Sequence, residues 1–280
     1  MKRAVVVFLE NKPILLLQFG WLYTSLQHIQ PNDTDIVVFG TKEALENIPD
    51  DCIKISCKTA RELPEASWYP RLNNIYYFLD PQIDILRNYD YILRTDADTF
   101  LTPAWNHYYP KFYTAGRGGY VNNVEVRENL RRVAGIHGLN HKGIHNVGAT
   151  HYGPANEVIA VSQKAVELAK YLLTHDFKEE RGKWPGWYGG VINMYSNEIA
   201  LNHCIENFQV DKQNLDFPST STDSVNIHAH LHCWHTDKQF SKFHFEKGNY
   251  DHIKMEDLDL SIVKDYCLYI ALKARENQIL

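Results

Sequence analysis

The first hundred residues alternate between two hydrophobic periods, and this alternation constrains the fold more than any other feature of the chain. Strand-length segments rich in apolar residues occupy residues 4–9, 35–39, 52–57 and 91–95. Segments with apolar residues at helical spacing separate them, at residues 15–29, 41–48 and 71–86. Strands that are covered on both faces of a parallel sheet are apolar along most of their length. The pattern therefore predicts βαβ units and an α/β fold with a mostly parallel central sheet.

Two residues mark where the helices of this half begin or break. Thr41 precedes a short helical segment, and its hydroxyl is suited to cap that helix. Pro81 has no backbone N–H to donate, so we expect it to kink or split the helix predicted over residues 71–86.

The second half of the chain mixes the two periods. Its patterns predict strands at residues 112–121, 157–161 and 225–234. They predict helices at residues 125–133, 163–173, 197–208 and 257–273. Since the sequence shows no repeat, low-complexity stretch or obvious linker, we expect a single domain.

Charge and hydropathy exclude two classes of partner. The net charge of −5 over 280 residues gives no basic field for nucleic acid. Arg127, Arg131 and Arg132 are better explained as one face of a solvated helix. No apolar run approaches the roughly 20 residues that a membrane-spanning helix needs. The short apolar stretch near the N-terminus ends at Glu10 and lacks a cleavage site, so it predicts a buried strand rather than a signal peptide.

The five cysteines are scattered, and none forms a CxxC pair. An odd number at such spacing argues against a disulfide framework or a structural zinc site. This usage favours a reducing compartment, and the sequence therefore predicts a cytoplasmic protein.

The fourth predicted strand delivers two carboxylates to the edge of the sheet, as Asp96 and Asp98. Open α/β sheets bind ligands beyond the carboxyl ends of their strands. Two close carboxylates repel each other unless a cation or bound protons compensate, and Mg²⁺ or Mn²⁺ is commonly held by such a pair with substrate phosphates. A capped turn with two solvated acids is the simpler explanation of an isolated Asp-x-Asp, but its place after a βαβ run favours a metal site.

The segment YDYILRTDAD resembles the signature of GT-A glycosyltransferases, in which Asp-x-Asp follows a hydrophobic strand. The preceding YPRLNNIYYFLD is similar to the helix that flanks the donor site in several such families, fungal α-1,2-mannosyltransferases among them. The resemblance implies a Rossmann-like nucleotide-sugar-binding half over residues 1–103. An acceptor-binding half over 104–245 and a C-terminal helix over 246–280 would follow.

The same resemblance implies roles for four residues of this region. Asp98 would be the main ligand of a Mn²⁺ or Mg²⁺ ion, and Asp96 would contact the ribose, or the metal through water. Arg71 and Asn74 would line the nucleotide pocket, although Arg71 is equally consistent with an exposed residue at a helix start.

GT-A enzymes often supply a further metal or diphosphate ligand from a late histidine that is followed by a lysine. This chain offers His228, His230 and His232 along one strand, then His235 and Lys242. Not all of these histidines can be ligands. His235, just past the predicted strand, is the first choice and His232 the second, with Lys242 as a partner of the diphosphate.

The segment WPGWYGG carries aromatic side chains that could stack on an acceptor sugar: Trp184, Trp187 and Tyr188. Packing within the loop explains them equally well. The adjacent glycines would allow a sugar to approach the backbone closely.

Glu198, expected near the start of a helix, is the first candidate for the base that deprotonates the acceptor hydroxyl, and Glu157 is the second. The alternative explanation of an acid near a helix N-terminus is that it only complements the helix dipole.

The length, the absence of an anchor and the cysteine usage are similar to those of soluble glycosyltransferases of chloroviruses, which are large algal viruses. Their xylosyltransferases imply transfer of xylose from UDP-xylose, with inversion, to a fucose of the capsid N-glycan in the host cytoplasm. The partners would be a nucleotide-sugar donor and a glycan acceptor.

Other readings of the sequence stay open. The first is a retaining GT-A glycosyltransferase of other sugar specificity. The second is a metal-dependent hydrolase built on the histidine-rich segment. The third is a carbohydrate-binding module that uses the tryptophans and leaves the aspartates unexplained.

Overall fold

A seven-stranded sheet forms the centre of the computed structural model, which describes residues 1–277. The strands are β1 Arg3–Leu9, β2 Thr34–Gly40, β3 Ile53–Ser56, β4 Tyr91–Arg94, β5 Thr99–Leu101, β6 Tyr113–Arg117, β7 Val147–Pro154, β8 Phe208–Val210, β9 Phe217–Pro218 and β10 His230–His232. The helices are α1 Pro13–Ile29, α2 Lys42–Leu45, α3 Asn73–Tyr76, α4 Val124–Ile136, α5 Ala155–Thr174, α6 Ile192–Cys204, α7 Lys242–Glu246 and α8 Val263–Glu276.

The large sheet has the order β3-β2-β1-β4-β7-β6-β8, and β5-β10-β9 form a second, smaller sheet. Neighbouring strands of the large sheet run parallel except on the two sides of β7, where the pairing is antiparallel. The predicted α/β fold with a mostly parallel central sheet is therefore confirmed.

Alternate residues of β1 enter different cores, which explains its uninterrupted apolar sequence. Val6 and Phe8 pack into a cluster on one face of the sheet, and Val5 and Val7 pack into a cluster on the other. Because helices cover both faces, neither set of side chains needs to be polar. The strand was predicted from its continuous apolar run for this reason.

Pro81 splits the third predicted helix as expected. Helix α3 is a single turn, and the chain continues as short 3₁₀ segments up to Asn88. The carboxylate of Asp80 accepts a hydrogen bond from the backbone N–H of Gln82 at 2.9 Å, which restarts the helical path after the proline. Thr41 caps α2 as predicted, by accepting from the N–H of Ala44.

Three elements of the second half differ from the prediction. Residues 157–161 belong to helix α5 rather than to a strand, because a short buried apolar run has no period that separates the two. Of residues 225–234, only β10 pairs with other strands. The last helix begins at Val263 rather than at residue 257, and residues 278–280 of the predicted C-terminal segment lie outside the described residues.

Strand direction determines which loops meet at the functional edge of the sheet. Strand β7 runs antiparallel to β4, with Arg94 opposite His151, so the segment before β7 lies at the same edge as the segment after β4. Strand β6 is also antiparallel to β7, with Arg117 opposite Val147, so the segment after β6 lies there too. Segments far apart in sequence therefore surround Asp96 and Asp98.

Two other features bear on the sequence predictions. Within residues 1–277, no helix is both long and apolar enough to cross a membrane. Each of the five cysteines is a free thiol.

Candidate active site

Asp98 and His232 come together because the second sheet pairs β5 with β10. The pairing is antiparallel and sets Thr99 opposite His232. The Nε2 atom of His232 lies 3.3 Å from Oδ1 of Asp98. One carboxylate oxygen from Asp96, one from Asp98 and a ring nitrogen of His232 lie within 4.8 Å of one another. Oxygen and imidazole donors at this spacing fit a divalent cation such as Mn²⁺.

Lys242, at the start of α7, also reaches Asp98. Its Nζ atom lies 2.5 Å from Oδ2 of Asp98. Burial by itself raises the pKa of Asp98, but the charges and hydrogen bonds of His232 and Lys242 outweigh burial and hold that pKa well below its usual range. Asp98 is therefore ionised at neutral pH.

Asp96 has a different environment from Asp98. Its Oδ1 atom accepts a hydrogen bond from Nδ2 of Asn74 at 2.9 Å. Burial raises the pKa of Asp96; His232 opposes this rise, and the carboxylates of Asp98 and Asp216 add to it. The predicted repulsion between the two acids is thus present, and a bound cation would relieve it.

Asp216 contacts the ring nitrogen of His232 that faces away from Asp98. Its Oδ1 atom lies 3.0 Å from Nδ1 of His232 and accepts a hydrogen bond from the Thr150 hydroxyl at 2.6 Å. Burial opposes a charge on His232, but the carboxylates of Asp98 and Asp216 raise its pKa well above the usual value. A carboxylate that fixes the orientation of a ligating histidine is common in metal sites.

Space for the Asp216 carboxylate depends on glycines in the large sheet. A Cβ atom on Gly116 would lie 2.0 Å from Oδ2 of Asp216, and one on Gly148 would lie 2.7 Å from the same atom. No motif in the sequence marks Asp216 or these glycines, because their proximity arises from the packing of the two sheets.

His230 and His228 are held by hydrogen bonds of their own. The Nδ1 atom of His230 accepts from the N–H of Asp216 at 3.2 Å, so its neutral ring donates from Nε2 to the Thr95 hydroxyl at 2.8 Å. Burial lowers the pKa of His230 to about 4, in agreement with a neutral ring. His228 contacts the carbonyl of Gln213 and stacks on a phenylalanine. The prediction that not all of these histidines can be ligands agrees with this geometry.

His235, the first choice among the histidines, is not among the residues whose ligand atoms lie within 4.8 Å of one another, although it is near enough to feel the charge of Asp98. It follows the end of β10, is exposed, and packs its ring against Phe243 at 5.2 Å between centroids. The structure thus brings His232, the second choice, into the cluster, because strand pairing ends before residue 235.

Of the two predicted nucleotide-pocket residues, Asn74 lies against the carboxylates and Arg71 lies against the segment before α6. Asn74 contacts Asp96 directly. Arg71 is exposed, and its Nη1 atom donates to the carbonyl of Gly190 at 3.3 Å. The backbone carbonyl of Arg71 accepts from Asn193 at 2.6 Å, which fastens this segment to the start of α6.

The aromatic loop packs largely against the protein. Trp187 stacks on Tyr195 with centroids 4.3 Å apart, whereas Trp184 is 44% exposed and lies edge-on to Tyr188. A Cβ atom on Gly190 would lie 2.2 Å from the Tyr188 ring. The glycine there makes room for a tyrosine of the same loop rather than for a sugar.

The two predicted bases occupy very different positions. Glu157 lies in the first turn of α5, just after β7 ends, and therefore at the edge of the sheet opposite the carboxylates. Glu198 lies in the middle of α6, not in its first turn, and it is fully buried. A residue in the middle of a helix cannot complement the charge at the helix N-terminus, so this explanation of Glu198 is excluded. Two histidines, His141 and His145, lie beside Glu198, and the sequence analysis did not single them out.

Residues 1–278 match a protein-family model described as a domain of unknown function (DUF7164). No curated protein matches the sequence. Among solved structures, the chain is similar to the galactosyltransferase LgtC in complex with donor and acceptor sugar analogues, at 12% identity and a TM-score of 0.46, over 91% of this chain and 98% of that chain. At this similarity, the chemistry must be inferred from the side chains of the present chain.

Proposed function

The chain belongs to the DUF7164 family, and we propose that it is a metal-dependent GT-A glycosyltransferase that moves a sugar from a nucleotide-sugar donor to a glycan hydroxyl. One observation carries the proposal. Asp96, Asp98 and His232 converge at the carboxyl edge of a mostly parallel sheet, where such folds bind nucleotides. Two oxygen donors and one imidazole nitrogen suit Mn²⁺ better than Mg²⁺.

Each residue in and around the cluster of Asp96, Asp98 and His232 has its own role in this proposal. Asp96, Asp98 and His232 would hold the cation, which when bound neutralises negative charge on the diphosphate leaving group. The ammonium group of Lys242, which pairs with Asp98 in this structure, would turn to a diphosphate oxygen when the donor is bound. Asn74 and Arg71 would contact the nucleotide beside Asp96.

The donor and the stereochemistry are the finer part of the proposal. We take UDP-xylose as the first donor to test and inversion as the expected course, on the resemblance of the sequence to viral xylosyltransferases. The anomeric configuration of the product, measured by NMR, separates inversion from retention. Glu157 is given no role in this proposal, because it lies at the opposite edge of the sheet.

The test is a thermal-shift and transfer assay of the wild type and Asp98→Asn with nucleotide sugars and Mn²⁺. A donor at about 100 times its dissociation constant stabilises the folded state by about 2.7 kcal/mol. We expect this stabilisation in the wild type and its loss in Asp98→Asn. Asp84→Asn, which changes an exposed acid paired with Arg87 away from the cluster, is the matched control.

Two results would overturn the proposal. One is sugar transfer that survives exhaustive chelation. The other is an Asp98→Asn variant with wild-type donor binding. A hydrolase would instead turn over without a nucleotide sugar, and a binding module would bind glycans equally well after Asp98→Asn.

A further inference from the structure

His145 and Glu198 form a hydrogen-bonded pair on the same edge of the sheet as Asp98. The Nδ1 atom of His145 lies 2.7 Å from Oε1 of Glu198. His145 comes two residues before β7, and β7 runs antiparallel to β4. The pair therefore lies on the side of the sheet where the acceptor would meet the donor.

The carboxylate of Glu198 is surrounded by protein donors. The hydroxyl of Tyr120 donates to Oε2, and this hydroxyl in turn accepts from the N–H of Asn146 at 2.7 Å. The Nε2 atom of His141 lies 3.3 Å from Oε1. Because the carboxylate is fully buried, it acts on other molecules only through one of these neighbours.

The hydrogen bonds assign different roles to the two histidines. The Nδ1 atom of His141 accepts from the N–H of Gly143 at 3.1 Å, so its neutral ring carries the proton on Nε2 and donates it to Glu198. When Glu198 is ionised, His145 donates from Nδ1 to its carboxylate, which leaves the lone pair of Nε2 free. That Nε2 atom is buried and has no partner among residues 1–277. Of these two histidines, only His145 therefore has a free basic nitrogen.

The loop that carries both histidines is fastened to α6. The side chain of Asn202, one turn after Glu198, accepts from the backbone N–H groups of Lys142 and Ile144 and donates to the carbonyl of Ile144. Gly143 has a φ of +82°, which lets the chain turn between the two histidines. The relative positions of His145 and Glu198 are thus fixed by the fold.

We infer that His145 is the base that deprotonates the acceptor hydroxyl and that Glu198 is the positioning residue behind it, an inference that rests on the proposed glycosyl transfer. The acceptor O–H proton passes to Nε2 of His145 while the acceptor oxygen bonds to the anomeric carbon. The bond from that carbon to the diphosphate oxygen breaks, and its electron pair leaves with the diphosphate. The carboxylate of Glu198 balances the charge of the imidazolium that forms.

The surroundings keep the ring of His145 neutral before the reaction. Burial lowers its pKa, and the positive charges of Arg131 and Arg127 lower it further. The side chain is 10% exposed, so the acceptor reaches Nε2 through one water or after a small shift of the covering groups.

A metal ion is the competing occupant of this cluster, since ligand atoms of His141, His145 and Glu198 lie within 4.8 Å of one another. The hydrogen bonds favour the base instead. Binding through Nε2 of His141 would put a proton on Nδ1, where it would face the N–H of Gly143. The nearby arginines also oppose a second cation.

The first experiment compares His145→Gln with His141→Gln in the holoenzyme with donor and Mn²⁺. We expect His145→Gln to lower kcat by about 100-fold to 10,000-fold, the usual contribution of a general base, while donor binding by thermal shift is unchanged. His141→Gln is the matched control, because His141 contacts the same carboxylate and has no free lone pair. Added imidazole should restore part of the activity of His145→Ala.

The second experiment needs no turnover and therefore separates this inference from the proposed function. Above pH about 8, where Glu198 is ionised, the ring ¹⁵N shifts of His145 should report the Nδ1–H tautomer in the wild type and the Nε2–H tautomer in Glu198→Gln. The assignment would be overturned by a wild-type Nε2–H tautomer at that pH, by equal losses of kcat in the two glutamine variants, or by tight zinc binding that His145→Gln abolishes. Failure of donor binding in the wild type would instead overturn the proposed function, and the role of His145 as a base with it, while the tautomer of His145 could still be as described.

Discussion

The carboxylate of Asp216 lies 3.0 Å from Nδ1 of His232, on the side of the ring opposite Asp98. A carboxylate in this position fixes the ring and its tautomer, so that the other nitrogen faces the cation site. Asp216 itself is held by Thr150 and has a φ of +53°, in the left-handed region. The candidate metal site therefore depends on a residue that is not one of its expected ligands.

We expect Asp216→Ala to weaken Mn²⁺ binding by about 10-fold to 100-fold, the usual cost of losing such a partner. Asp216→Asn should weaken it less, because the amide oxygen can still accept from Nδ1. Calorimetric titration of Mn²⁺ checks both variants. Unchanged affinity in Asp216→Ala would show that His232 is held in place by other contacts.

Gly116→Ala should disturb the same site without removing any charge. The new Cβ atom would overlap Oδ2 of Asp216, so either the carboxylate or the strand must move. We expect a loss of stability of about 1–3 kcal/mol, together with weaker Mn²⁺ binding. Gly135→Ala is the control, since nothing lies within 4 Å of its Cβ position, and chemical denaturation of both variants is the measurement. Equal stability of the two variants would contradict the prediction.

The rate of sugar transfer should rise with pH through about 8. Burial raises the pKa of Glu198 to about 8, although backbone N–H groups of Val147 and Asn146 oppose the rise. Below this pH the carboxyl group holds a proton, and above it the carboxylate can accept from Nδ1 of His145 and leave Nε2 free. The groups that face the pair are Tyr120, His141, Arg127 and Arg131.

The measurement for this third prediction is the pH profile of kcat at saturating donor. Glu198→Gln should lower kcat and flatten the profile, since its side chain does not titrate. A wild-type profile that falls between pH 7 and about 8 would contradict the role of the pair.

Asp33→Asn should make stability less dependent on pH in the acid range. Burial raises the pKa of Asp33, but hydrogen bonds from Arg3 and Thr34 outweigh burial and lower it below the usual value. A carboxylate with a lowered pKa stabilises the fold above the unfolded value of about 3.9, and this stabilisation is lost as pH falls through the folded value.

We therefore expect the melting temperature of Asp33→Asn to lie below that of the wild type at pH about 6 and to approach it near pH 3. The pairing with the fully buried guanidinium of Arg3 is the physical cause. A difference between the two proteins that stays constant over this range would show that the charge of Asp33 contributes nothing.

Local sequence was sufficient for the first half of the fold. Strand β1 is continuous and apolar because both its faces are covered, and its prediction needed no information from elsewhere in the chain. Pro81 broke its helix as expected, since a missing N–H has the same effect in any context. In contrast, residues 157–161 are helical, because tertiary packing decides the state of a short apolar run.

The sequence by itself determined that two carboxylates would follow a buried strand of an α/β fold, because the hydrophobic period and the succession of elements along the chain are local properties. Only the tertiary structure decided that His232 rather than His235 faces Asp98, that Asp216 stands behind it, and that Glu198 is paired with His145. The contact between Asp98 and His232 joins residues 134 positions apart in the sequence. These contacts arise from the pairing of β5 with β10 and from the packing of a loop on α6, which no spacing in the sequence encodes.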